Sequence, residues 1–158
     1  MIIHQKKLDR IEGFNGYFQF LRAEFPAKVL FEGEIYNSVA HALEAAKTED
    51  PTERRRIRKA PTHREMLQVA RHVQQPPNWT AVRLVIMEQL LRDKFRRDRE
   101  LRERLKGTGA RPLINVVPSA ARTGGAGGGD KAFWGVVEQG AGEPLRLIAQ
   151  RRARWLRP

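Results

Sequence analysis

The sequence has no cysteine. It therefore forms no disulfide, offers no thiolate to a metal and holds no Cys nucleophile. Histidine is scarce as well: the four residues, at 4, 41, 63 and 72, show no spacing suited to a metal site, so neither zinc nor another metal is expected. No stretch approaches the ~18 apolar residues of a membrane span, and the opening MIIHQKKLDR lacks the apolar run of a secretory signal. A soluble, cytoplasmic protein with no membrane partner and no cofactor is the expectation. Acidic residues are the minority charge: 18 Asp and Glu against 30 Lys and Arg leave +12. That excess favours an anionic partner, nucleic acid or a nucleotide diphosphate. The arginines cluster in RRRIRK (54–59), FRRDRELRER (95–104) and RRARWLR (151–157), and compositional bias alone would also produce such clusters.

What remains is enough for one domain over residues 1–158, because 41% hydrophobic residues in a chain of that length bury a real core. Early segments look like strands. YFQFL (17–21) and AKVLF (27–31) are aromatic and aliphatic, bounded by Gly13, Gly16 and Pro26, and FEGEIY turns at Glu32-Gly33 as a hairpin.

Helix signals follow. Ser38 is a good N-cap for a run free of Gly and Pro up to Lys47. On that helix Ala40, Glu44 and Lys47 share one face with His41 beside them, while Val39, Leu43 and Ala46 form an apolar face. An amphipathic surface helix with a solvated Glu44–Lys47 pair satisfies the same spacing. Asp50-Pro51 opens a second helix to about Ala60. Thr62 with Glu65 makes a capping box for a third, to about Val73. Asn78 stands where it would cap the longest helix, and a charged helix from Asp98 to Lys106 stops at Gly107. LINVV (113–117) reads as a late strand, followed by a Gly-rich, flexible loop at about 119–129 that fits neither a Walker motif nor GxGxxG.

YNSVAHALEAAK (36–47) resembles the signature helix of the NADAR family, in which a Tyr-x-Ser/Thr-x-Glu-His segment opens a helix ending in Gln-Ala-x-Lys. Tyr36, Ser38, Val39, His41, Ala45 and Lys47 match. The family's glutamate falls on Ala40. Trp79, Val82, Arg83, Met87, Lys94 and Phe95 resemble a second family segment, Trp-x-x-Val-Arg followed by Met and Lys-Phe. Phe20, Leu21 and Phe25 resemble its opening Phe-Leu-Ser-Asn-Phe, with Arg22 standing in the altered part. DKAFWG resembles its Asp-x-Phe-Trp-Gly through Asp130, Phe133, Trp134 and Gly135, with one residue inserted.

The resemblance implies an α+β fold, mostly helical with a small sheet, acting on N-glycosidic bonds to ribose. Such a reaction passes through an oxocarbenium-like transition state and needs a carboxylate near the anomeric carbon. It implies a catalytic set at Ala40, Lys47 and Asp130, with Asp130 the best remaining carboxylate and Lys47 as electrostatic support or proton donor. Ligand contacts are implied at Phe20, Arg22, Tyr36, His41, Glu44, Trp79, Phe133, Trp134 and Gly135, the two tryptophans as stacking walls. The leading expectation is removal of ADP-ribose from guanine bases of DNA, as antitoxin or repair partner of a cognate ADP-ribosyltransferase toxin, with Ala40 weakening the chemistry. Alternatives are an N-glycosidase acting on riboflavin-pathway intermediates and a catalytically dead module that binds ADP-ribose.

Overall fold

The computed structural model describes residues 10–117 and 136–137. By its own packing the chain forms two compact units, one of residues up to Arg22 and from Glu103 onward, the other Ala23–Arg102. Helices predominate over short strands, the α+β class expected.

The Ala23–Arg102 unit begins with a hairpin, β2 (Val29–Phe31) and β3 (Glu34–Tyr36), in which Leu30 lies opposite Ile35. Its two-residue loop sets both Glu32 and Gly33 at positive φ, +45° and +84°, the signature of a type I′ turn. Five helices are described: α1 (Val39–Ala45), α2 (Pro51–Lys59), α3 (His63–Ala70), α4 (Trp79–Arg97) and α5 (Arg99–Gly107). The caps read from the sequence bond as their spacing requires. Ser38 Oγ accepts from the His41 N–H at 3.1 Å, Asp50 from Thr52 at 2.8 Å and Thr62 from Glu65 at 3.2 Å. Asp98 caps α5 by accepting from Leu101 at 3.1 Å. Asn78 differs: its side chain makes no cap bond, because its own backbone lies near φ −88°, ψ 5° and already turns with the helix, its carbonyl accepting from Ala81 and Val82. α3 ends at Ala70, three residues before the expected Val73, and continues only as turns at His72 and Val73.

α1 corrects the surface-helix reading. Val39 through Leu43 and Ala45 are all buried, so the helix is enclosed on nearly every side by α2, α3, α4 and the hairpin. Its alanines make this possible, since small side chains let neighbouring helices approach the backbone.

In the other unit β1 (Ile11–Glu12) pairs in parallel with β4 (Leu113–Ile114), and β5 (Val116–Val117) with β6 (Val136–Val137). The expected strand LINVV is thus two strands with different partners, broken at Asn115. YFQFL is not a strand. Residues Gly16–Leu21 form a 3-10 helix, which gathers Tyr17, Phe18 and Phe20 into one cluster with ring centroids 5.4 to 6.5 Å apart. A strand would have sent Tyr17 and Phe18 to opposite faces. The guanidinium of Arg104 lies 5.8 Å from the Phe20 ring, and that of Arg111 5.8 Å from Phe18.

Candidate active site

In the Ala23–Arg102 unit the signature segment supplies two buried polar side chains, Ser38 and His41. Tyr36 ends β3, buried to 1% exposure. Burial raises its hydroxyl pKa, while the cations of Arg54 and Arg58 on α2 pull it down. Tyr36 therefore stays a neutral phenol near neutral pH.

His41, in the first turn of α1, is buried and bonded at both ring nitrogens. Nε2 lies 3.0 Å from the Ala60 carbonyl, which can only accept, so Nε2 carries the proton. Nδ1, 2.7 Å from Ser38 Oγ, then accepts the hydroxyl proton. Burial lowers the His41 pKa, the Ala60 bond opposes this, and the nearby His63 lowers it further. The imidazole is thus a neutral strut tying the start of α1 to the end of α2.

Ala40 stands one residue before it, 8% exposed, and donates its N–H to the Ala23 carbonyl at 2.9 Å. One turn on, Glu44 pairs with Lys47, Nζ to Oε2 at 3.0 Å. Lys47 lies just past the helix end, its N–H donating to the Glu44 carbonyl, and its ammonium sits 5.5 Å from the centroid of the Trp79 ring. The Trp79 ring, at the start of α4, is 1% exposed. In this structure its indole serves as packing and as a seat for the Lys47 cation, not as an open stacking platform. Ala40, Glu44, Lys47 and Trp79 are thereby drawn together: a small methyl, an ion pair and an aromatic wall.

Phe20 and Arg22 belong to the other unit. Phe20 is fully buried in its aromatic cluster, and Arg22 donates to the Phe14 carbonyl at 2.8 Å and to Asn15 Oδ1 at 2.7 Å. Asp130, Phe133, Trp134 and Gly135, with the Gly-rich loop, lie outside the described residues. Among the described residues no group of three or more His, Cys, Asp or Glu is placed to hold a metal ion, and no helix is long and apolar enough to cross a membrane.

One residue of note matched the family's Lys-Phe step in the sequence, with no signal of its burial. Lys94 on α4 is completely buried, its ammonium 5.2 Å from the Phe95 ring and 5.6 Å from the Phe25 ring. Burial lowers its pKa to about 7, against the opposing pull of Glu24 and Asp98.

A buried Tyr-x-Ser-x-x-His segment whose helix ends in a Trp-seated lysine defines a class. The NADAR domain family matches residues 6–143, and the chain belongs to it. That family is associated with N-glycosidase activity, which suggests a glycosidase-type role. Among solved structures the chain is similar to the E. coli protein YbiA, determined by NMR, with TM-score 0.74 and 21% identity over 94% of this chain and 85% of YbiA. That likeness concerns the fold. No curated protein matches.

Proposed function

We propose that this chain recognises ADP-ribose attached to guanine in DNA and that its hydrolytic step is limited by the methyl group at position 40. The observation that carries this reading is the Glu44–Lys47–Trp79 constellation set one helical turn from Ala40 on the buried signature helix. In the reaction water adds to the anomeric carbon, the C–N bond to guanine breaks, and the departing base nitrogen takes a proton. A carboxylate is needed to stabilise the positive carbon or to deprotonate the water. Ala40 supplies neither function, and Glu44 is already paired with Lys47. Lys47, held at 3.0 Å from Glu44, is suited to anchor a diphosphate or to assist the leaving base. The net charge of +12 favours a nucleic acid substrate over a small metabolite.

The test is Ala40→Glu. The site is buried, so the added carboxylate should cost about 1 to 3 kcal/mol of stability, and a thermal midpoint reads that separately. Release of ADP-ribose from an ADP-ribosylated guanine oligonucleotide should rise by roughly 100- to 10,000-fold over the Ala40 protein. Brisk turnover by the Ala40 protein would assign the reaction to another carboxylate. No gain in a folded Ala40→Glu protein would leave a binding module.

A further inference from the structure

The five basic residues of α2 divide into two sets. Arg54 and Arg58 turn to the hairpin, where Glu32 and Glu34 hold them. Arg55, Arg56 and Lys59 are exposed, and among the described residues no carboxylate pairs with them. They help line an open groove of about 490 Å³ between α2 and α3. Ala60, Pro61 and Val69 add apolar surface to its lining, which Glu65 also joins. Lys59 lies at i+4 from Arg55 and i+3 from Arg56, so the three cations are surface neighbours, an arrangement that destabilises a helix. The negative end of the α2 dipole accounts for cations in its last turn, Arg56 and Lys59 among them. It accounts neither for Arg55, the residue just before that turn, nor for the apolar residues that share the groove with the three cations.

That combination matches a polynucleotide strand: phosphates for the cations, sugar faces for the apolar lining. Arg55 to Lys59 spans about 6 Å of helix, room for roughly two phosphates at one per 3.4 Å of each strand. The groove is also tied to the signature helix, because the carbonyl of Ala60, one of its lining residues, accepts from His41 on α1. We propose that the α2–α3 groove docks the backbone of the nucleic acid strand that carries the substrate base. This rests on the reading that the substrate sits on nucleic acid, and it adds the surface that holds the strand.

The test uses an unmodified DNA oligonucleotide, so that it does not depend on the reaction. Binding by fluorescence anisotropy is measured across a salt series for the parent chain and for the triple variant Arg55→Gln, Arg56→Gln, Lys59→Gln. Loss of roughly two phosphate contacts should make the slope of log K against log salt shallower by about 2. The thermal midpoint should not fall, and the binding of free ADP-ribose should be unchanged. Arg96→Gln with Arg99→Gln, a pair of exposed cations on α4 and α5, is the control and should leave most of the slope in place. An unchanged slope in the triple variant overturns the docking surface, as does an equal per-charge loss in the control, which would make the effect one of net charge. Loss of binding to phosphatidylserine vesicles with DNA binding intact also overturns it, in favour of a membrane headgroup. The hydrolase reading fails separately, by Ala40→Glu releasing no ADP-ribose while the salt slope still falls in the triple variant.

Discussion

Lys94 places a cation where the fold has almost no water for it. The unfolded chain keeps this lysine protonated to about 10.5, whereas burial lets the folded chain release the proton at about 7. Between those values the unfolded state binds more protons, so stability must rise with pH across that window. Below pH 7 both states are charged and the burial cost is felt in full, on the order of several kcal/mol for a shift of this size. Glu24 and Asp98, the carboxylates that soften it, are themselves exposed and stay hydrated without the lysine. Lys94→Met keeps most of the side-chain volume and removes the titration. The variant should be more stable than the parent at pH 6, and the difference should shrink steadily by pH 10. Urea unfolding of both proteins at pH 6, 8 and 10 measures it. A constant difference across that range would mean that Lys94 keeps its charge when folded. His41 runs in the same direction at lower pH. Its depressed pKa means that the folded state resists protonation below 6.5, so acid erodes the strut between α1 and α2.

At the scale of elements, the hairpin turn offers a clean measure of local strain. Gly33 sits at φ +84°, and a Cβ built there would meet nothing within 4 Å, so only the backbone conformation opposes a side chain. Gly33→Ala should therefore cost about 1 to 2 kcal/mol, and Gly33→Asn less, because Asn tolerates the left-handed region. Equal losses for both in urea unfolding would place the cost in packing instead. This turn was legible in the sequence for the same reason that the caps at Ser38, Asp50 and Thr62 were: each is decided by residues within three positions. YFQFL misled because alternation and aromatic content are also satisfied when three rings must pack on one another, a tertiary demand that a 3-10 helix meets. LINVV misled because its two halves answer to partners more than 15 residues away in opposite directions along the chain. For the site, the signature helix, with alanine at position 40, could be read from residues 36–47. What could not be read was enclosure. The sequence has Glu44 and Lys47 at a spacing that fits a solvated pair, and only the packing of α1 shows Lys47 closed over Trp79. Lys94 escaped for the mirror-image reason, since a lysine beside phenylalanine in a long helix ordinarily reaches water.

At the scale of the whole molecule, the proposed function asks how a +12 chain would divide its affinity between charge and recognition. Phosphate contacts are indifferent to the modification on a base, whereas a pocket for ADP-ribose is indifferent to the length of DNA around it. The two contributions should separate in a salt series comparing ADP-ribosylated and plain oligonucleotides of the same sequence. Both should lose affinity along lines of log K against log salt, with about 0.9 in slope for each phosphate neutralised on duplex DNA. The modified oligonucleotide should lie above the plain one throughout. Its slope should be steeper by no more than about 2, because the diphosphate of ADP-ribose adds only two phosphates to those already contacted. The ratio between the two affinities should stay nearly constant with salt to the extent that those two phosphates stay unneutralised; if Lys47 binds one, the ratio should fall with salt, and Lys47→Gln should flatten that fall. Coincident lines would show that the ADP-ribose group adds nothing and that the charge alone binds DNA. Salt-insensitive binding of both would remove nucleic acid from the reading and leave a small ribosylated metabolite as the substrate, with the arginines as composition.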